Sequence, residues 1–123
     1  MNANRYFSVP FDGRNDVDIQ RLRELQGGIV AYGRWIALLG ILYDRDGIIE
    51  LEHYGRILER ELELDHNGLI SFLDDCAAIG FIEAEAYRER NVVISHGVCN
   101  EIEYRRSRIE AGKKSGDSRR KAK

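Results

Sequence analysis

The chain has 123 residues, 43% hydrophobic and 33% charged, which suits one domain of ~100–150 residues with a real core and excludes a disorder-type composition. The longest uncharged apolar run, Trp35 to Tyr43, falls short of the ~20 residues of a membrane span; the start carries no secretory signal, and two Cys with one Pro exclude a disulfide scaffold, so a soluble, cytoplasmic protein is expected. The net charge of −2 is unevenly spread: residues up to Tyr104 carry ten Arg against nineteen acids, a net of −9, whereas the rest carry +7, so contact with a polyanion is expected to begin at the tail.

Arg5 to Phe11 reads as an extended, partly apolar arm, because Pro10 removes a donor and disfavours helix at Val9. Asp12 to Asn15 is turn chemistry. Asp16 is a good N-cap for a first helix that turns Ile19 and Leu22 inward and stops at Gly27-Gly28. A second helix is expected from about Ile29 to Tyr43. It is apolar nearly all round, with Arg34 as its one internal charge, and belongs at the domain centre. Gly33 and Gly40 each cost it ~1 kcal/mol of propensity, which close packing can offset.

Asp44 to Gly47 is a turn and Ile48 to Leu51 a short strand. A third helix over about Glu52 to Glu63 turns Tyr54, Ile57, Leu58 and Leu62 to one face. Leu64-Asp65 leads into a fourth over about His66 to Ile79, with Asp65 as N-cap and Gly80 as stop. Phe81 to Tyr87 and Asn91 to Ser95 read as two strands, joined as a hairpin by Arg88-Glu89-Arg90. A last helix starts near Ser95 and frays towards Gly112, after which the chain is linker-like. The expected domain is residues 1–111 and the basic flexible tail 112–123. The fold class is mainly α with a small β-hairpin: a winged helix-turn-helix plus C-terminal helix and basic tail, preferred over an irregular α+β domain on element order and length.

The chain resembles the N-terminal winged-helix domain of phage and prophage replisome organisers, the DnaD-like replication-initiation proteins. The likeness is carried by Tyr6-Phe7, Phe11-Asp12, the Asp16-Ile19-Leu22 spacing, and Ala31-Tyr32-Gly33-x-Trp35 with Leu38, Leu39, Leu42 and Tyr43. Ala78-Ile79-Gly80-Phe81-Ile82, Val93-Ile94-Ser95 and the basic stretch Glu110 to Gly116 extend it over roughly residues 5 to 116. The resemblance implies DNA binding or assembly with replication proteins.

In a helix-turn-helix the second helix enters the major groove. Here that helix offers Asn67 and Ser71 as candidate contacts, but it has no Arg or Lys, and Asp74 and Asp75 would repel phosphates. Arg88 and Arg90 at the hairpin tip are further DNA candidates, against the plain alternative of a solvated turn. The tail is the stronger signal, with Arg105, Arg106, Arg108, Lys113, Lys114, Arg119, Arg120, Lys121 and Lys123. Nine neutralised phosphates would give a salt slope of up to about −8.

Cys76 and Cys99 read as core thiols, and no metal-ligand spacing or cofactor motif occurs. No nucleophile elbow, dinucleotide fingerprint or zincin motif is present, so an enzyme and a small-molecule substrate are not expected. The leading expectation is a DNA-binding protein of replication initiation. The alternatives are a protein-interaction or self-association module of a replication complex with little DNA affinity, and a small prophage transcription regulator.

Overall fold

The computed structural model describes residues 7–10 and 12–121, with side chains as far as Lys113. After a short 3-10 turn at Gly13–Asn15, the elements are α1 (Val17–Leu25), α2 (Ile29–Asp44), β1 (Ile48–Glu50), α3 (Leu51–Leu62), α4 (His66–Ile79), α5 (Ala84–Arg90), β2 (Val92–Ile94) and α6 (His96–Lys121). The fold is mainly α with a small antiparallel sheet, as the sequence predicts.

The two Asp N-caps form as expected. The Asp16 carboxylate accepts from the amides of Asp18 at 2.9 Å and Ile19 at 3.3 Å, and Asp65 accepts from Gly68 at 2.7 Å. Each satisfies donors left open by its helix start, a contribution of about 1 kcal/mol. α2 is the central element. Ala31, Trp35, Leu38 and Leu42, at helical spacing, are buried, and Phe72 and Leu73 of α4 are fully buried in the same core. Arg34 of α2 caps the end of α3, donating from Nε to the Leu62 carbonyl at 2.8 Å.

The arm along α2 is anchored by Phe7, whose ring lies parallel to that of Tyr43 at 5.0 Å and close to Gly40. Gly40 therefore has the close packing its helix position calls for. Gly33 does not: a Cβ there would meet open space. Tyr6 and Phe11, also expected in the arm, lie outside the described residues.

The predicted hairpin is corrected by the structure. Residues 84–90 form helix α5, and β2 pairs with β1 instead, in the register Ile48↔Ile94, Ile49↔Val93, Glu50↔Val92. Ala84-Glu85-Ala86-Tyr87-Arg88-Glu89-Arg90 is made mostly of strong helix formers, which outweigh a two-residue alternation. Asn91, at φ 58°, ends the helix in the left-handed conformation that Asn tolerates. The Glu83 amide donates to the Ile94 carbonyl at 2.9 Å, so the entry to α5 lies along the outer edge of β2.

α6 is longer than predicted. It continues through Gly112 to Lys121, where the sequence predicts fraying and a linker. Val98 and Ile102 bury against the core, whereas every described residue from Arg106 to Lys113 is exposed. At ~1.5 Å per residue the 26-residue helix is ~39 Å long, so much of it stands clear of the body. Cations near its C-terminal end complement the helix dipole and favour the extension. No single helix among the described residues is long and apolar enough to cross a membrane.

Candidate nucleic-acid interface

α3 and α4 are joined at Glu63–Asp65, where Glu63 adopts the left-handed conformation at φ 55°. That sharp turn sets up the helix-turn-helix pair in which α4 would be the reading helix. Ser71, Asp74 and Asp75 of α4 are already engaged from within the chain. Gln26, just past α1, donates through Nε2 to the Ser71 Oγ at 3.1 Å and to the Ser71 carbonyl at 3.2 Å. The same nitrogen makes a short contact with the Asp75 carboxylate. On the neighbouring side Tyr87 of α5 donates its hydroxyl to Asp74 at 2.7 Å. Burial, and then that hydrogen bond, push the Tyr87 phenol well above its ordinary range. Asn67 is exposed in the first turn of α4, so of the two predicted reading residues Asn67 is open and Ser71 is held by Gln26.

Arg88 and Arg90 are exposed, on a helix and not on a hairpin tip. The residue that ends α5 meets the first residue of α3 through the backbone: the Leu51 amide donates to the Asn91 carbonyl at 3.1 Å. The outward crest of α3 carries His53, Arg56, Ile57 and Arg60, all exposed. Sequence reasoning directed at α4 missed this basic ridge, although its i, i+3, i+7 spacing is legible. Neighbouring acids temper it. His53 lies 3.5 Å from Glu50, and Arg60 lies 3.8 Å from Glu61.

The predicted tail cations divide into two groups. Arg105 and Arg106 are turned back on the body. The Arg105 Nε is 3.0 Å from Glu101, and its guanidinium lies 5.5 Å from the Tyr43 ring centre. The Tyr43 phenol is raised by burial first, then by Glu101, with Arg105 opposing. The Arg106 Nη2 is 3.0 Å from Asp46, in the turn after α2. Cys99 fits the same turn, with its thiol 3.7 Å from the Asp46 carbonyl. Arg106 and Cys99 dock α6 on the α2–β1 turn, whereas Arg105 pairs within α6 and lies against Tyr43 of α2, so both arginines are engaged before any DNA is met. Arg108 and Lys113 are exposed, with Arg108 5.8 Å from the Tyr104 ring of its own helix. The side chains of Lys114, Arg119, Arg120 and Lys121, and all of Lys123, lie outside the described residues.

Gln26, Tyr87 and Asp46 were not legible as partners. Gln26 meets α4 across 45 and 49 residues of sequence, a pairing only the fold creates. Among the described residues no group of three or more His, Cys, Asp or Glu side chains converges to hold a metal ion. The Cys76 thiol is buried in the core and pushed up to about 12, by burial and then by Asp75. Cys99, expected in the core, is only partly buried.

A family model described as Lin1244/Lin1753-like, N-terminal, matches residues 6–98. The chain belongs to this family. Comparison with curated proteins and with solved structures found no match. The Lin1244/Lin1753-like region takes in α1 to β2 and the first residues of α6. It contains Asn67, Ser71, Arg88 and Arg90 and stops before Arg105, so all nine basic residues of the C-terminal stretch lie beyond it.

Proposed function

We propose that this Lin1244/Lin1753-like protein is a cytoplasmic DNA-binding protein of the phage or prophage replication-initiation type, of DnaD-like winged-helix character. DNA affinity is supplied by α6 and not by α4. The observation that carries this reading is the separation of charge in space. The C-terminal stretch, most of it on a helix that leaves an acidic body, carries +7, while the outward residues of α4 include Asp74 and no Arg or Lys. Lys and Arg on such a helix bind phosphates without reading sequence. Asn67 of α4, and Arg88 and Arg90 of α5, then orient the body on the duplex.

The test is fluorescence anisotropy of duplex and single-stranded DNA at two salt concentrations. The intact chain is compared with a full-length variant carrying Gln in place of Arg108, Lys113, Lys114, Arg119, Arg120, Lys121 and Lys123. Salt-sensitive binding that the variant loses supports the reading. Equal binding by both proteins moves the site to the body, and no binding by either overturns it. The second reading is a protein-interaction module of a replication complex. It is favoured by the internal engagement of Ser71, Asp74 and Asp75, which leaves α4 poorly equipped for bases.

A further inference from the structure

The surface holds two apolar features that nothing among the described residues covers. One is a groove of ≈ 270 Å³ between α2 and the C-terminal end of α3, with Val30, Gly33, Ala37 and Leu62 along it and Glu61 and Glu63 at its rim. Val30 is 53% exposed, and its neighbour Ile29 is 54% exposed. A Cβ at Gly33 would meet open space, so the backbone of α2 is accessible there. The positive charge at this groove, Arg34, is directed to the carbonyls of Leu62 and Glu63. Those carbonyls belong to the negative end of the α3 dipole. The second feature is on the free part of α6, where Tyr104 and Ile109 are 58% and 50% exposed and stand among Arg108 and Lys113.

The two features match in chemistry. One is an apolar trough with carboxylates at its edge, and the other is a helix with an apolar side chain between cations. Residues 106–113 are exposed, so this stretch of the helix does not fill the groove of its own chain. We propose that the groove receives α6 of a second copy of this chain. Ile109 enters beside Val30 and Gly33, and Arg108 and Lys113 face Glu61 and Glu63. This is helix-in-groove recognition, with apolar anchoring supplying affinity and rim charges setting direction. The two surfaces differ, so the contact is heterologous: each copy presents a groove and a helix, and assembly can continue head to tail. Self-association is read without DNA and stands apart from the DNA-binding reading.

The experiment is sedimentation velocity of the full chain over a range of concentrations, at low and high salt. The expected result is concentration-dependent growth beyond the 14.2 kDa monomer, weakened by salt. Val30→Asp and Ile109→Asp each alter an exposed side chain, so both should keep the folded circular-dichroism spectrum. Each should weaken association at least about tenfold. Mixing the two variants should restore a dimer and nothing larger, because one retains its helix and the other its groove. Exchanging charge at Glu61 and Glu63 to Lys should weaken association, and Arg108→Glu with Lys113→Glu in the partner copy should restore it. A chain that stays monomeric at all concentrations overturns the proposal. So does an assembly that Val30→Asp abolishes and Ile109→Asp leaves intact, since that pattern belongs to α2 faces pairing with each other.

Discussion

Two residues show how tightly the α2–β1 turn is fitted to α6. Gly47 has φ +87°, and a Cβ there would come inside van der Waals contact with the Cys99 sulfur. Gly47→Ala therefore meets both a strained backbone and a clash. A loss of about 2 kcal/mol is expected in urea unfolding, with part recovered in the double variant that also carries Cys99→Ala. Deep in the core, Cys76 gives a pH signature. Its folded thiol keeps its proton up to about 12, whereas an unfolded one ionises near 9.0. Below pH 9 both states hold the proton and the stabilisation is complete. Between pH 9 and 12 only the unfolded state releases it, so stability falls as pH rises. Tyr87, also raised, adds to the fall above its ordinary 10.0. Urea midpoints taken at rising alkaline pH should decline, and Cys76→Ala should make the decline shallower. An unchanged slope in that variant would remove Cys76 as a cause.

At the scale of elements, α5 gives the sharpest choice between two local structures. In a hairpin, residue 89 is at the tip of a turn, where Gly is welcome. In the observed helix it is an exposed position in the last turn, where Gly still costs up to about 1 kcal/mol. Glu89→Gly should therefore lower the unfolding free energy by about that amount, and a neutral or stabilising result would restore the hairpin. The same segment marks the limit of what local pattern can show. α2 was legible because an all-round apolar run has one stable destination, the core. α1 and α4 were legible from Asp caps and Gly stops, which act within one turn of the chain. Residues 81–90 mix strand-like alternation with helix-forming composition, and the decision comes from β1, about forty residues earlier, which takes β2 as its partner. Among the candidate DNA contacts, the basic character of α6 was legible from charge alone. The engagement of Ser71 by Gln26, and of Arg106 by Asp46, was not, because both pairs are brought together only by the finished fold.

Across the whole molecule the governing feature is an acidic body joined to a basic helix, and the contacts between them set how strongly salt should act. The C-terminal stretch has nine cations, which alone would allow a salt slope of up to about −8. Arg105 and Arg106 already face Glu101 and Asp46 at 3.0 Å each. Moving them to phosphates would give up those pairings and bring the two carboxylates close to DNA charge, so they are expected to stay. Seven cations of that stretch remain, and its share of the slope of log K against log salt should be no steeper than about −6. Arg105→Gln with Arg106→Gln should leave that slope nearly unchanged, with only a small loss of stability because exposed pairs contribute about 0.2–1 kcal/mol. Arg108→Gln with Lys113→Gln should reduce it by up to about 2. The discriminating measurement is the titration of all three proteins against one duplex over a salt series. If the Arg105 and Arg106 variant flattens the slope as much as the other pair does, the anchor has been released on binding. α6 would then move relative to the body when DNA is engaged.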